Sequence, residues 1–321
     1  MATNSLSLSA QPKSRPRPIM LGVVGDSASG KTTLTDGILN IVGRDRVTAI
    51  CTDDYHRYDR EARKELNITP LNPECNYMEI IEQHLRLFAL GETILKPKYN
   101  HSHGTLDAPE LVSPADYMVI EGLFPFYSKP MRECFDVKVY LDPPEDVRRA
   151  WKIKRDTTKR NYTEEQVLAD LDRREPDSES FIRPQRAHAD IVVRFYPPSD
   201  DLNDPRHFNV RLVLRPSLPH PYLAEIASET RTAKFEPIRF SLARDRGQPV
   251  DVLEIDGSVP AEVAQAAEAV IWDKMDHHGD LNPDAIGLFA EDQKSSRPLG
   301  ITQLLIVFQL LKARADSDES Q

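Results

Sequence analysis

A chain of 321 residues is long enough for one large α/β domain or two modest ones, with a sizeable core. The formal net charge of −10 argues against a nucleic-acid partner, and 40% apolar with 29% charged residues is ordinary for a soluble globular protein. The longest apolar run, ITQLLIVFQLL, falls short of the ~20 residues that span a bilayer; no membrane partner is expected, and the run reads as a buried or subunit-packing helix.

Residues 1–17 are Ser-rich, basic and free of acids, and lack the apolar centre of a secretory signal; a disordered tail is expected. PIMLGVV (18–24) is a β-type apolar run ending at GDSASGKTT (25–33), and helical spacing follows over 32–42. RVTAICT (46–52) reads as a second strand that ends at the polar cluster DDYHRYDR, and 76–90 reads as an amphipathic helix. KPKYNHSHGTLDAPE (96–110) is a proline-rich extended segment. DYMVIEG (116–122) and FDVKVYLD (135–142) are further strands, followed by helices over 144–157 and 163–174. PDSESFIRPQRA reads as a polar connector broken by proline, and ADIVVRF (189–195) as another strand. Short buried strands alternating with helices predict a mostly parallel sheet with crossovers.

After about residue 200 the texture changes. FNVRLVLR, KFEPIRFSLA and PVDVLEIDG read as strands without helices between them, which suits an antiparallel extension of the sheet. Helices are expected over 260–276 and 300–313, and a disordered tail over 316–321. The expected organisation is α/β: one domain over 18–315, with a nucleotide and substrate core (18–200) and a C-terminal sheet extension with helices (201–315). The cysteines Cys51, Cys75 and Cys134 are odd in number and lack C-x-x-C spacing. They suit a reducing cytoplasm, with no disulfide framework and no zinc site.

GDSASGKTT fits G-x-x-x-x-G-K-[ST] and lies between a predicted strand and a predicted helix, as a phosphate-binding loop requires. Gly25 and Gly30 permit the tight turn, so that backbone N–H groups of Gly25, Asp26, Ser27, Ala28, Ser29, Gly30, Lys31, Thr32 and Thr33 can point at phosphate oxygens. Lys31 would reach the β and γ phosphates of ATP, and the Thr32 hydroxyl would bind Mg²⁺. Ligands gather at the carboxyl ends of parallel strands, so the residues there are the next candidates. Strand two ends in Asp53 and Asp54, which would point opposite ways in extended backbone, leaving one carboxylate to take a proton from an attacking hydroxyl. His56, Arg57 and Arg60 follow, and a base beside cationic groups suits a phosphorylated alcohol. Glu121 follows four apolar residues, and a buried acid there suits a Mg²⁺ site. Lys152, Lys154, Arg155, Lys159 and Arg160 crowd one helix and its end; Lys152, Arg155 and Lys159 share a face by spacing and could stabilise a transferring phosphoryl group. Tyr99, Asn100, His101 and His103 suit hydroxyl or phosphate recognition.

The stretches GDSASGKTT, CTDDYHRYDR, KPKYNHSHG, VIEGLFPF, KIKRDTTKRNYT and PDSESFIRPQRAHAD, spread over residues 18–198, resemble the phosphoribulokinase branch of the phosphoribulokinase/uridine kinase family. The phosphate loop identifies only the superfamily; DDYH-x-x-DR and K-x-x-RD-x-x-x-R are far more specific. The resemblance implies ATP-dependent phosphorylation of the 1-hydroxyl of ribulose 5-phosphate, giving the bisphosphate used in CO₂ fixation in the Calvin cycle. It implies Asp53 as general base, with Lys152 and Arg155 acting on the phosphoryl group and Arg160 binding phosphate. It further implies His56 and Arg60 on the sugar phosphate, Arg186 on the sugar phosphate or nucleotide, and Glu121 at the metal. The C-terminal third matches the longer, dimeric members, so a homodimer is expected by resemblance. Light-regulated members carry a loop cysteine that pairs with a second one before the catalytic acid; Cys51 matches the second position, but Ser29 stands at the first, so that disulfide cannot form. Two other readings stay open: a related kinase acting on a small alcohol such as uridine, and a nucleotide-dependent binding module without catalysis.

Overall fold

The computed structural model describes residues 17–198, 207–221, 223–231, 236–275, 280–289 and 294–319. In chain order the elements begin β1 (Ile19–Gly25), α1 (Lys31–Val42), β2 (Val47–Cys51), α2 (Arg60–Glu65), α3 (Met78–Ala89), β3 (Ile94–Asn100), β4 (Thr105–Val112) and β5 (Tyr117–Gly122). Next come α4 (Lys129–Arg132), β6 (Val137–Leu141), α5 (Glu145–Lys159), α6 (Glu164–Asp177) and β7 (Ile191–Tyr196). The last part holds β8 (Asn209–Leu214), α7 (Leu223–Glu229), β9 (Ile238–Asp245), β10 (Gln248–Ile255), α8 (Ala261–Asp273), β11 (Leu288–Phe289), β12 (Lys294–Ser295) and α9 (Arg297–Glu319).

The central sheet has eight strands in the order β2-β5-β1-β6-β7-β8-β10-β9. The pairs from β2 to β7 are parallel, and those from β7 to β9 antiparallel, as the change of texture near residue 200 predicts. β1 is buried throughout because its alternate side chains enter two cores. Ile19, Leu21 and Val23 join α1, α8 and α9 on one face; Met20 and Val24 join α3 and Phe126 on the other. Each such buried aliphatic side chain contributes roughly 2 kcal/mol of transfer free energy. The chain leaves β1 towards β2 and β5 on one side and reaches β6 and β7 on the other. The carboxyl end of β1 is therefore a switch point, where a crevice opens.

Two expectations change, and two are narrowed. The segment from Pro176 is not a broken connector: α6 runs through Pro176 to Asp177, and a π turn (Ser178–Ile182) and a 3₁₀ turn (Arg183–His188) continue it. The wider turn follows directly on the proline, whose missing N–H weakens the regular ladder. The extended segment 96–110 is a β3–β4 hairpin whose register shifts between Lys96 and Lys98, around Pro97. The apolar run near the C-terminus is buried within this chain, where Pro298–Leu311 of α9 pack on α1, α8 and the sheet. That helix continues to Glu319, past the expected boundary at 315. The expected N-terminal tail lies outside the described residues except for Arg17. No described helix is long and apolar enough to cross a membrane.

Candidate active site

A cavity of about 980 Å³ opens at the carboxyl edge of the parallel strands. The loop after β1 forms its floor. Ala28 (φ 65°) and Gly30 (φ 93°) take the left-handed backbone that turns the loop, and α1 starts at Lys31 with no side-chain cap and no acid in its first turn. The first N–H groups of α1 therefore remain available to an anion, on the positive end of the helix dipole. Lys31 Nζ donates to the carbonyls of Gly25 and Asp26 (2.9 Å each), which holds the ammonium over the loop. These features fit the phosphates of a nucleotide.

At the end of β5, Glu121 lies beside Cys51 of β2 in register. Its carboxylate accepts from the Thr32 and Thr35 hydroxyls, 3.0 Å each. Burial pushes the Glu121 pKa up, against the pull of Lys31 and the two hydroxyls. A buried carboxylate next to a hydroxyl of the phosphate loop is the hard-oxygen donor set that suits Mg²⁺. Gly122 follows with φ 152°, and a Cβ there would stand 1.9 Å from Thr52 Oγ1. Glycine is what lets the end of β5 approach the turn after β2 so closely.

That turn is 3₁₀ (Thr52–Tyr55), not extended, so Asp53 and Asp54 separate for a different reason from the one the sequence suggested. Asp54 accepts from Lys96 Nζ and from the Tyr99 N–H, and so ties the β3–β4 hairpin to the turn. Asp53 lines the cavity. Burial pushes the Asp53 pKa up, but His56, His101, Lys31 and Arg160 outweigh it, and the net direction is down. His56 itself is pushed down to about 4, chiefly by burial, so at neutral pH it is not among the charges that hold Asp53 ionised; Lys31 and Arg160 are. His56 Nδ1 lies 2.8 Å from Asn76 Oδ1, and the Asn76 amide nitrogen is spent on the carbonyls of Pro70 and Asn72. The oxygen is thus the acceptor, Nδ1 carries the proton, and Nε2 is a neutral acceptor. His56 is not the cation that the sequence suggested. Burial and the nearby carboxylates of Asp53 and Glu121 raise the Cys51 thiol well above its usual range, which keeps it protonated.

The positive cluster on α5 is organised by an acid between its members. Asp156 accepts from Lys152 Nζ (2.8 Å) and Arg155 Nε (2.7 Å), with Arg160 Nη1 at 3.5 Å. Burial raises its pKa, yet these cations outweigh burial and bring it down to about 2. Lys152 is 2% exposed and also meets Asp170 at 3.5 Å, so its ammonium is a buried anchor, not a free phosphate ligand. Arg155 reaches Ser27 Oγ of the phosphate loop at 3.4 Å, and Arg160 lines the cavity mouth.

Of the expected contacts, Asp53, His56, Arg60, Tyr99, His101, Glu121, Lys152, Arg155 and Arg160 line the same cavity as the loop from Ser27 to Thr33. Arg60 also donates to the carbonyl of His101 (2.7 Å). Six residues do not line it. Asn100 and His103 stay at the hairpin turn, where Asn100 Oδ1 accepts from the backbone N–H groups of Ser102 and His103. Gly25 lies beneath the loop, and Asp26 is buried and accepts from Ser178 Oγ. Arg57 packs over the Tyr77 ring near Glu79. Arg186 is held by Asp142 and Asp245. Sequence reasoning missed Asp156, although its i+4 spacing from Lys152 and i−4 spacing from Arg160 was a usable signal. It also missed Arg63, which lies over the Tyr99 ring and donates to its hydroxyl (2.6 Å).

Residues 20–201 match the phosphoribulokinase/uridine kinase family. The chain belongs to that family. Among relatives of this kinase, the phosphoribulokinase of Synechocystis sp. is 36% identical over 256 residues, covering 75% of this chain and 77% of that one. The chloroplastic phosphoribulokinase of Triticum aestivum is 34% identical over 273 residues, covering 75% and 68%. A uridine kinase of Deinococcus deserti is 32% identical over 193 residues, covering 59% of this chain and 91% of its own. The solved phosphoribulokinase from Rhodobacter spheroides shares the fold, with a TM-score of 0.57 and 19% identity over 81% of this chain and 97% of that one.

Proposed function

We propose that this kinase transfers the γ-phosphoryl group of ATP to the 1-hydroxyl of ribulose 5-phosphate, as its phosphoribulokinase relatives are named for. The observation that carries the reading is that Asp53, ionised and unpaired with any lysine or arginine side chain among the described ion pairs, shares one cavity with the phosphate loop and a set of arginines. A carboxylate so placed suits removal of a proton from an attacking alcohol. Arg60 and Arg63 on the same cavity suit a substrate that already carries a phosphate.

In this mechanism the loop N–H groups and Lys31 hold the β and γ phosphates, and His56 Nε2 accepts a hydrogen bond from a sugar hydroxyl. Asp53 takes the proton of the 1-hydroxyl as its oxygen bonds to the γ phosphorus. The bond to the β–γ bridging oxygen breaks, and ADP carries away that electron pair. Arg155 and Arg160 stabilise the charge spread over the transferring group. Most of the acceleration is then positioning and electrostatics. Thr32 and Glu121 would hold Mg²⁺, which neutralises phosphate charge when bound.

We further propose a cytoplasmic homodimer. The free cysteines support the compartment, and the exposed edge strand β9, with Leu242 78% exposed, supports pairing of two copies.

The test is ADP release with ATP and Mg²⁺, comparing ribulose 5-phosphate, uridine and no acceptor, with and without dithiothreitol. Turnover on ribulose 5-phosphate alone, unchanged by reductant, is expected. Turnover on uridine would replace the reading with a nucleoside kinase. Tight ATP binding without turnover would leave a binding module.

A further inference from the structure

The turns that follow α6 lie behind the cavity, and the phosphate-transfer reading gives them no part. Ser178 opens the π turn and Gln185 sits in the 3₁₀ turn; both are buried, and neither lines the cavity. Both spend their polar groups on loops that do line it. Ser178 Oγ donates to Asp26 Oδ2 of the phosphate loop. Gln185 Nε2 donates to the carbonyl of Leu123 (2.7 Å), and Gln185 Oε1 accepts from the Phe126 N–H (2.9 Å), so this side chain grips the loop that follows Glu121 and Gly122. One segment thus reaches from the end of β1 to the end of β5, which are parallel neighbours in the sheet. Single π turns set into helices recur at functional sites, where the wider turn re-aims a side chain.

Asp26 is the point at which this segment can act on a bound phosphate. Its carbonyl accepts from the Ser29 N–H (3.2 Å) and from Lys31 Nζ (2.9 Å), so the orientation of one residue sets both the curl of the loop and the place of the ammonium. Its side chain is buried and held from behind. Oδ2 takes the bond from Ser178, and Oδ1 has no hydrogen-bond partner among the described residues. Arg183 Nε stands 3.9 Å from Oδ2, while its Nη2 is committed to Glu175 at 2.6 Å. A buried carboxylate with a single hydrogen bond depends on it, because losing that bond leaves the cost of desolvation unmet. We propose that Ser178 is a positioning residue for the nucleotide phosphates. By fixing Asp26 it sets Lys31 and the loop N–H groups, and together with Gln185 it braces the phosphate loop against the loop after Glu121. The proposal rests on the reading of the phosphate loop as an ATP site.

The experiment uses full-length protein with ADP and with inorganic tripolyphosphate, which has the phosphates without the base or the ribose. Ser178→Ala should raise the Kd of both ligands about tenfold, the lower end for a lost hydrogen bond to a charged group. It should leave the KM for ribulose 5-phosphate within twofold, because Arg60 on α2 and Tyr99 on β3 do not depend on the brace. Asp26→Asn keeps an oxygen for the Ser178 hydroxyl and should weaken binding less than Ser178→Ala does. Asp26→Ala should match Ser178→Ala, and the double variant should be no weaker than either single one, since the two residues act through one bond. If Asp26→Ala does not fold, Ser178→Ala and Asp26→Asn still decide the matter, with thermal melts to show that they are folded. A brace that only stabilised the fold would lower Tm and leave both Kd values within twofold of wild type, which would overturn the positioning role. A KM for ribulose 5-phosphate that rises as much as the Kd of ADP would overturn it too, since the whole cavity would then have loosened. Wild-type protein that binds neither ligand would overturn the ATP site itself, which separates the two failures.

Discussion

Replacing Asp156 with Asn removes the acid that gathers Lys152, Arg155 and Arg160. Its carboxyl is held at about 2 in place of its ordinary 3.8. That difference corresponds to about 2 kcal/mol of folding stability at neutral pH, trimmed towards about 1 kcal/mol by solvent at the cavity. Lys152, 2% exposed, keeps only Asp170 at 3.5 Å, and the weakened pairing of a buried ammonium adds roughly 1–2 kcal/mol. The expected total is about 2–3 kcal/mol, or a fall in Tm of about 5 °C for a chain of this size. The sign of the pH dependence follows from the lowered pKa: the contribution is complete above about pH 4 and is lost as pH falls towards 2. Differential scanning fluorimetry of wild type and Asp156→Asn should thus show a constant gap from pH 8 to 5 that closes below 4. A gap under 1 °C at pH 7 would refute the clasp. A gap that persists at pH 3 would show that the loss comes from packing and not from charge.

Asp53→Asn should leave ADP binding near normal and lower kcat at least about 10²-fold, as loss of a general base does; normal turnover would remove Asp53 from that role. Arg60→Ala should chiefly raise the KM for ribulose 5-phosphate, and an unchanged KM would reject the contact. His56 has a folded-state pKa of about 4 against an ordinary 6.5, so the unfolded chain binds the proton first and stability falls as pH drops from about 6.5 to 4. Between pH 7.5 and 5 the loss should be about 2 kcal/mol, read from urea midpoints, and His56→Gln should be flatter by that amount. Leu242→Lys on β9 should shift the protein towards monomer in light scattering; an unchanged dimer would move the interface elsewhere.

The phosphate loop, the strands that flank it and the change to antiparallel pairing after residue 200 were legible because each is written in consecutive residues. Glycine spacing, apolar runs and periodicity report local backbone preference directly. The pairing of cations with acids was not legible in that way. Arg57 and Arg186 carry the same charge as Arg60 and Arg155, yet Tyr77 with Glu79 and Asp142 with Asp245 hold them away from the cavity. Asp54 looks like Asp53 until Lys96 arrives from a hairpin 42 residues later and claims it.

By itself, then, the sequence determined the class of fold, the nucleotide loop and the set of polar residues from which a site could be built. Which of them meet, which are neutral and which serve as anchors was decided by tertiary structure. His56 loses its charge through burial against Asn76, Lys152 becomes an anchor because Asp156 and Asp170 enclose it, and Trp151 gains its stacking partner from Phe208, the residue just before β8, a strand that joins the sheet beside β7. Desolvation and charge pairing depend on what packs around a group, and the packing neighbours come from distant parts of the chain.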